Sequence, residues 1–385
     1  MGTFVLTGGK VVTDSGVLDP GWLAVTDGVI SEVGAGEPAD AGADVPVIPV
    51  SGWLVPGFVD IHCHGGGGAA FWHADQETVA TGVRTHRAHG TTTMLASLVS
   101  RPVDELAKQT AALAELTQDG LIAGVHLEGP FISSARCGAH DPAVLAPPAR
   151  ADVETLLDAG RGTVRMVTLA PELDGALAAI RQLAEHRVLA AVGHTDATHD
   201  QVRAAIEAGA TVATHLFNGM RPLHHREPGP IGALIQDERV TVELICDLVH
   251  LHPEIVRMMA THAGPQRTVL ITDAIAAAGA GDGDYDIGGL AVTVREGVPT
   301  LAGADGTAGA IAGSTLTMDR AFRHFVQDVG MGMTEAVAAT ATQPARLLGL
   351  DQRVGALRVG LAADLVVLDD QLQVSRVLHN GSWIQ

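Results

Sequence analysis

Six polar residues interrupt or close otherwise apolar runs of this chain. They are His62 and His64 in FVDIHCH, Glu128 in IAGVHLE, His194 in LAAVGH, His215 in TVATHLF and Asp273 in TVLITDA. Imidazoles and carboxylates at this density suit a divalent cation, Zn²⁺ or Fe²⁺, with a position left open for water. One such residue alone says little, since a buried histidine is more often hydrogen-bonded core and a strand-end aspartate often caps the next helix. Six at matching positions call for a common explanation, because every buried polar group needs a partner. His62 and His64 stand two apart, so a strand aims both side chains the same way. Cys63 between them then points away, into the core.

The runs that carry these residues predict eight strands, at 58–64, 91–97, 122–128, 165–171, 189–194, 211–217, 240–246 and 268–274. Each is short and almost continuously apolar, as a parallel strand buried on both faces is. Between them DQETVATGVRTHRAHG, PVDELAKQTAALAEL, DGALAAIRQLAEHR, THDQVRAAIEAGA and HPEIVRMMATHAG have helical spacing. In one of these Val202, Ala205, Ile206 and Ala208 mark an apolar face, and Gly209 follows as a C-cap. The fold class is α/β, a (β/α)8 TIM-like barrel, in which the six residues share the C-terminal face where barrel active sites are built. An open doubly wound sheet would require a GxGxxG turn after its first strand, which Gly65–Gly68 followed by Ala69 and Ala70 does not supply.

The ends of the chain alternate apolar and polar residues between Gly-Asp turns, which predicts antiparallel strands. Segments 1–55 and 353–385 are expected to form one small β-sandwich domain beside a barrel spanning 56–352. The stretch 276–289, rich in Gly and Asp, reads as a mobile loop or a hairpin lead-in.

Composition narrows the function. With 24 basic and 44 acidic side chains the net charge is −20, which disfavours nucleic acid. Lys10, in a turn, and Lys108, on a polar helical face, are the only lysines, so neither a P-loop nor a lysine-centred site is expected. Three cysteines in 385 residues make no disulfide framework. No signal peptide or membrane-length apolar run is evident, and a cytoplasmic protein is expected. Cys137, in SSARCGAH, reads as a bystander thiol. His73, His86 and His89 read as surface residues or as residues behind the site.

Taken together, VPGFVDIHCHGGGG, HLEGPFIS, GHTDA, THLFNGM, HHREPG, DLVHLHP, ITDAI, IAGSTLTM and GLAADLVVLD resemble the amidohydrolase superfamily over nearly the whole chain. HLEGPF, GHT and THLFN resemble its N-acetylglucosamine-6-phosphate deacetylase branch. The resemblance implies a main metal site at Glu128, His194 and His215, and a first-strand pair, His62 and His64, able to hold a second ion. One or two divalent ions are therefore expected. It implies Asp273 as the catalytic aspartate at the metal, with His140 or His250 helping to stabilise the oxyanion. Ala139, His140, Asn218, Gly219, Arg226, His250, Ile311, Ala312 and Gly313 match substrate-contacting positions.

Arg226 with His225 and Asn218 forms the cluster suited to a phosphate, and the resemblance suggests that its loop reaches a neighbouring subunit of a homodimer. The chain departs from the pattern at Gly219, where relatives often carry Ala, and at Leu248, where Gly is common. The implied substrate is a small phosphorylated N-acetyl amino sugar. N-acetylgalactosamine 6-phosphate or another N-acyl amide is the alternative, and a non-catalytic scaffold the third reading.

Overall fold

The computed structural model describes residues 2–38, 44–302 and 308–384. It divides into two compact units. One comprises residues 1–60, 86–93 and 318–385, and the other residues 61–85 and 94–317.

The first unit carries the terminal strands in a single mixed sheet. Thr3–Thr13, Gly16–Thr26 and Val29–Ala35 pair antiparallel in sequence order. Val47–Pro49 and Trp53–Pro56 then return along the first strand in parallel, which the alternation of the termini does not reveal. Leu365–Leu368 joins Trp53–Pro56 antiparallel and extends the sheet through Val374–His379 and Ser382–Trp383. Leu6, Val11, Leu23, Val25, Ile30, Leu54 and Leu365 share its core. Lys10 lies within the first strand rather than in a turn, its ammonium 4.9 Å from the centre of the Trp53 ring.

The α/β sheet has eight strands in strict sequence order: Phe58–Asp60, Thr91–Leu98, Gly124–Glu128, Val164–Leu169, Leu189–Val192, Ala210–Ala213, Thr241–Ile245 and Thr268–Ile271. The pairings from Thr91–Leu98 to Thr268–Ile271 are all parallel. Just beyond the first and last strands the ring closes. His64 N–H donates to the Ala274 carbonyl and Asp273 N–H to the His62 carbonyl, with Cys63 and Ala274 bridged in parallel. This is the expected barrel, with strands shorter than the apolar runs that announced them.

The helices between the strands follow the predicted pattern at Gln76–Ala88, Val103–Gln118, Ala176–Glu185, His199–Ala208 and Pro253–Ala263. His199–Ala208 begins in a capping box between Thr198 and Gln201 and ends at Gly209 in the left-handed conformation. Arg150–Gly160 and Gly229–Gln236 fill the two remaining connections between successive strands. Residues 276–289 contain the first strand of a four-stranded antiparallel sheet, Gly283–Ile287, Leu290–Arg295, Val298–Ala302 and Ala308–Ile311. Among the described residues no helix is long and apolar enough to cross a membrane.

Candidate active site

The local backbone explains how the strands present their polar residues. His62, His194, His215 and Asp273 each stand two residues beyond the last residue of a strand. His194, His215 and Asp273 adopt positive φ, at 47°, 26° and 49°. Side chains with a Cβ pay on the order of 1 kcal/mol or more for that conformation, which persists where the surroundings enforce it and concentrates at functional sites. Glu128 is the final residue of its own strand.

All six predicted ligands meet in one buried centre, forming two donor groups that share Glu128. In the first, Glu128 Oε1, His194 Nε2 and His215 Nε2 form a triangle with sides of 3.0–3.1 Å. In the second, His64 Nε2 lies 3.1 Å from Glu128 Oε2, 3.3 Å from Asp273 Oδ1 and 3.1 Å from His62 Nε2. His62 Nε2 is 3.5 Å from both Glu128 Oε1 and Asp273 Oδ1.

These residues fit a divalent cation. Donor atoms about 2.0–2.2 Å from a tetrahedral ion stand roughly 3.3–3.6 Å from one another, close to the separations here. The tautomers agree. His194 Nδ1 donates to the Arg136 carbonyl at 2.9 Å and His62 Nδ1 to the Glu243 carboxylate at 3.2 Å, so both present a bare Nε2 to the centre.

The electrostatics point the same way. Burial pushes the His62 imidazole's pKa down, but Glu128 and Asp273 outweigh burial and hold it well above its ordinary value. His64 and His194 are raised against burial by the same carboxylates. Asp273 in turn is brought down to about 2, burial being overcome by His62 and His64. A field that favours positive charge at this point on an imidazole favours it equally on a metal ion.

His140 is used differently. Its Nδ1 accepts from the Ser100 backbone N–H at 3.2 Å and lies 2.8 Å from Ser100 Oγ, which leaves the hydrogen on Nε2, 3.5 Å from Glu128 Oε2. Burial lowers its pKa to about 4, so the ring is a neutral donor. His250 Nδ1 donates to Asp247 Oδ2 at 2.7 Å, and Asp247 Oδ1 accepts from the N–H groups of Val249 and His250. That turn holds Leu248 at φ 64°, a conformation glycine adopts at no cost.

A cavity of about 260 Å³ opens above the centre, lined in part by His64, Glu128, Ala139, His140, His194 and His215. Asn218, Gly219, His250, Asp273, Ile311 and Gly313 complete most of its wall. Gly219 is left-handed at φ 61°, and a Cβ there would sit 2.9 Å from His194 Nδ1. Ala312 is fully buried behind the wall rather than part of it. His225 and Arg226 are exposed, bonded to each other at 2.8 Å, and do not line the cavity of their own chain.

Cys63 is buried, its thiol directed to the Gly65 carbonyl at 3.5 Å. His86, expected at the surface or behind the site, is fully buried. His73 is exposed and stacks on Trp72, and His89 pairs with Asp319 at 3.3 Å. Sequence reasoning missed Glu243, Asp247, Gly138, Ile287 and Ala310. For Glu243 a signal existed, a carboxylate in the middle of the apolar run VTVELIC.

Comparison with known proteins follows the same lines. The model described as "Amidohydrolase family" matches residues 53–384. The chain is 37% identical to N-acetylgalactosamine-6-phosphate deacetylase of Escherichia coli O157:H7, across 100% of this chain and 98% of that protein. It is 35% identical to N-acetylglucosamine-6-phosphate deacetylase of Bacillus subtilis (strain 168), across 97% and 94% of the respective chains. Among solved structures, a mutant N-acetyl-D-glucosamine-6-phosphate deacetylase from Mycobacterium smegmatis, in complex with N-acetyl-D-glucosamine-6-phosphate, superposes with a TM-score of 0.95. The two chains are 48% identical and each is covered over 100% of its length.

Proposed function

The chain belongs to the amidohydrolase family, and on that premise we propose that it hydrolyses the N-acetyl group of N-acetylglucosamine 6-phosphate, releasing acetate and glucosamine 6-phosphate. The observation that carries this reading is the triangle of Glu128, His194 and His215 beside Asp273 in the cavity floor. The full-length similarity to a mycobacterial protein solved with that phosphorylated sugar supports the substrate.

In this reading Glu128, His194 and His215 hold a divalent ion, Zn²⁺ or Fe²⁺, and His62 and His64 give the chain the means to hold a second. Such an ion supplies Lewis-acid activation of water and of the acetyl carbonyl near neutral pH. Asp273 accepts the proton of the attacking water and delivers it to the departing amine nitrogen. His140 Nε2–H donates to the carbonyl oxygen as negative charge develops on it. His250, Asn218, Gly219 and the backbone of Ala139, Ile311 and Gly313 orient the sugar. His225 and Arg226 bind the phosphate from the neighbouring subunit of a homodimer. The enzyme works in the cytoplasm, with 56–352 as its catalytic domain and 1–55 plus 353–385 as the β-domain.

The similarity to an N-acetylgalactosamine-6-phosphate deacetylase favours a second reading in which only the sugar changes. Acetate release by the metal-analysed protein separates the two. Chelator-sensitive turnover of the phosphorylated gluco sugar, with little from the galacto or unphosphorylated sugar, is the expected result. Turnover of the galacto form alone moves the substrate. Turnover of no sugar, with metal bound, removes the sugar reading in favour of another N-acyl amide.

A further inference from the structure

Glu243 belongs to neither donor group, yet it joins them. It sits in the strand Thr241–Ile245 with its side chain fully buried. Its Oε2 accepts from His62 Nδ1 at 3.2 Å and from the backbone N–H of His215 at 3.2 Å. Its backbone carbonyl accepts from Leu216 N–H at 2.9 Å. One residue thus ties the turn after the first strand to the turn after the sixth. His62 lies in one donor group and His215 in the other.

A carboxylate oxygen only accepts, so the bond to His62 keeps the hydrogen on Nδ1 and turns the Nε2 lone pair toward His64, Glu128 and Asp273. An apolar side chain of the same size would leave His62 Nδ1–H without that acceptor and its ring without that orientation. A carboxylate behind a ligating imidazole also raises the basicity of the ligand nitrogen. Holding a carboxylate in a fully buried position is costly unless positive charge lies close by, and that charge is what the two donor groups are built to take up.

We propose that Glu243 is a positioning residue of the metal centre: it fixes the orientation and tautomer of His62, seats the turn that carries His215, and so sets the affinity of the centre for a divalent cation. The proposal rests on the metal-dependent reading above but not on the identity of the sugar.

The test titrates metal-stripped protein with Zn²⁺ against a chromophoric chelator. It compares wild type, Glu243→Leu and Glu243→Gln, and repeats both substitutions in a His62→Ala background. Glu243→Leu should weaken zinc binding by about 10–100-fold. Glu243→Gln, whose amide oxygen still accepts from His62 Nδ1, should fall nearer to wild type. In the His62→Ala background most of the effect of Glu243→Leu should vanish, because the two residues act as one unit. Zinc affinity within about twofold of wild type in folded Glu243→Leu overturns the proposal, and so does an undiminished loss when His62 is absent.

If Glu243→Leu does not fold, Glu243→Gln with and without His62 decides, and an effect of Gln that ignores the loss of His62 overturns the proposal. Wild-type protein that takes up zinc but releases no acetate from any sugar removes the deacetylase reading alone. Wild-type protein that takes up no divalent cation removes both.

Discussion

His140 and His194 pack ring edge to ring face, 4.7 Å between centroids, on opposite oxygens of Glu128, and they use their nitrogens in opposite senses. His194 spends its Nδ1–H on the Arg136 carbonyl and offers a bare Nε2. His140 accepts at Nδ1 from Ser100 and keeps its hydrogen at Nε2. Backbone partners impose both choices, since a carbonyl only accepts and an amide N–H only donates. One ring is thereby prepared as a ligand and the other as a donor.

The two histidines should therefore fail differently. His194→Ala is expected to lose metal and turnover together. His140→Ala should retain metal while turnover falls about 10²–10³-fold, the usual loss for one oxyanion donor. Metal analysis and kcat on the same preparations separate these outcomes, and metal loss from His140→Ala would make it a ligand instead.

Asp273→Asn isolates the proton transfer. Asparagine tolerates the left-handed backbone that Asp273 adopts at φ 49°, so the fold should survive. The amide cannot take a proton from water, and kcat should drop about 10²–10⁴-fold with little change in KM and with metal still bound. Near-normal kcat would take Asp273 out of the chemistry.

Much of this arrangement is legible in the sequence, for physical reasons. Strands buried on both faces must be continuously apolar, so all eight stand out, and a polar residue at their ends is conspicuous. The helix His199–Ala208 announces itself through Thr198, Gln201 and Gly209. Gly229–Gln236 does not, because nearly all its residues are buried and no polar face sets a period. The parallel return of Trp53–Pro56 along Thr3–Thr13 is equally hidden, since alternation reports a half-buried strand but not the direction of its partner. The opposite tautomers of His140 and His194 depend on backbone groups 40 and 58 residues away in the chain, and no local pattern encodes them.

Gly313 supports Asp273 from behind. It is left-handed at φ 60°, and a Cβ would lie 2.8 Å from the Asp273 carbonyl and 2.7 Å from Ile275 Cγ2. Gly313→Ala should cost about 1–3 kcal/mol through strain and displaced backbone. It should lower the thermal midpoint and reduce kcat more than metal content. Wild-type stability and kcat in this variant would mean that the segment yields freely.

The Asp247–His250 pair gives a pH dependence with a definite sign. Burial lowers the His250 pKa, but its bond to Asp247 overrides burial and leaves it raised. A raised histidine contributes stability in full below its unfolded value of about 6.5, and loses it as pH rises through the folded value. Asp247 is lowered, burial being outweighed by His250, so its contribution is present above about pH 4 and lost as pH falls through its folded value. Asp247→Asn can keep the turn through its amide oxygen but cannot accept from His250 Nδ1–H. KM for the phosphorylated sugar should then begin its alkaline rise at lower pH, because a protonated His250 favours the anion. A KM–pH profile identical to that of wild type would show that Asp247 does not govern His250.

Arg226 offers the sharpest test of sharing between subunits. Its guanidinium is exposed and bonded to its neighbour His225, and HHREPG contains the basic cluster best suited to phosphate. If the cluster serves its own chain, Arg226→Ala and Asp273→Ala preparations stay inactive when mixed at low substrate concentration. If it serves a partner in a two-fold dimer, a mixed dimer contains one complete site, with Asp273 from one chain and Arg226 from the other. Equal mixing with free exchange makes half the dimers mixed, so about one quarter of all sites regain wild-type composition. Activity recovering toward that fraction, with the KM of wild type rather than the raised KM of Arg226→Ala, is the expected result. Absence of recovery in a mixture shown by mass to contain mixed dimers would assign the phosphate to residues of the same chain.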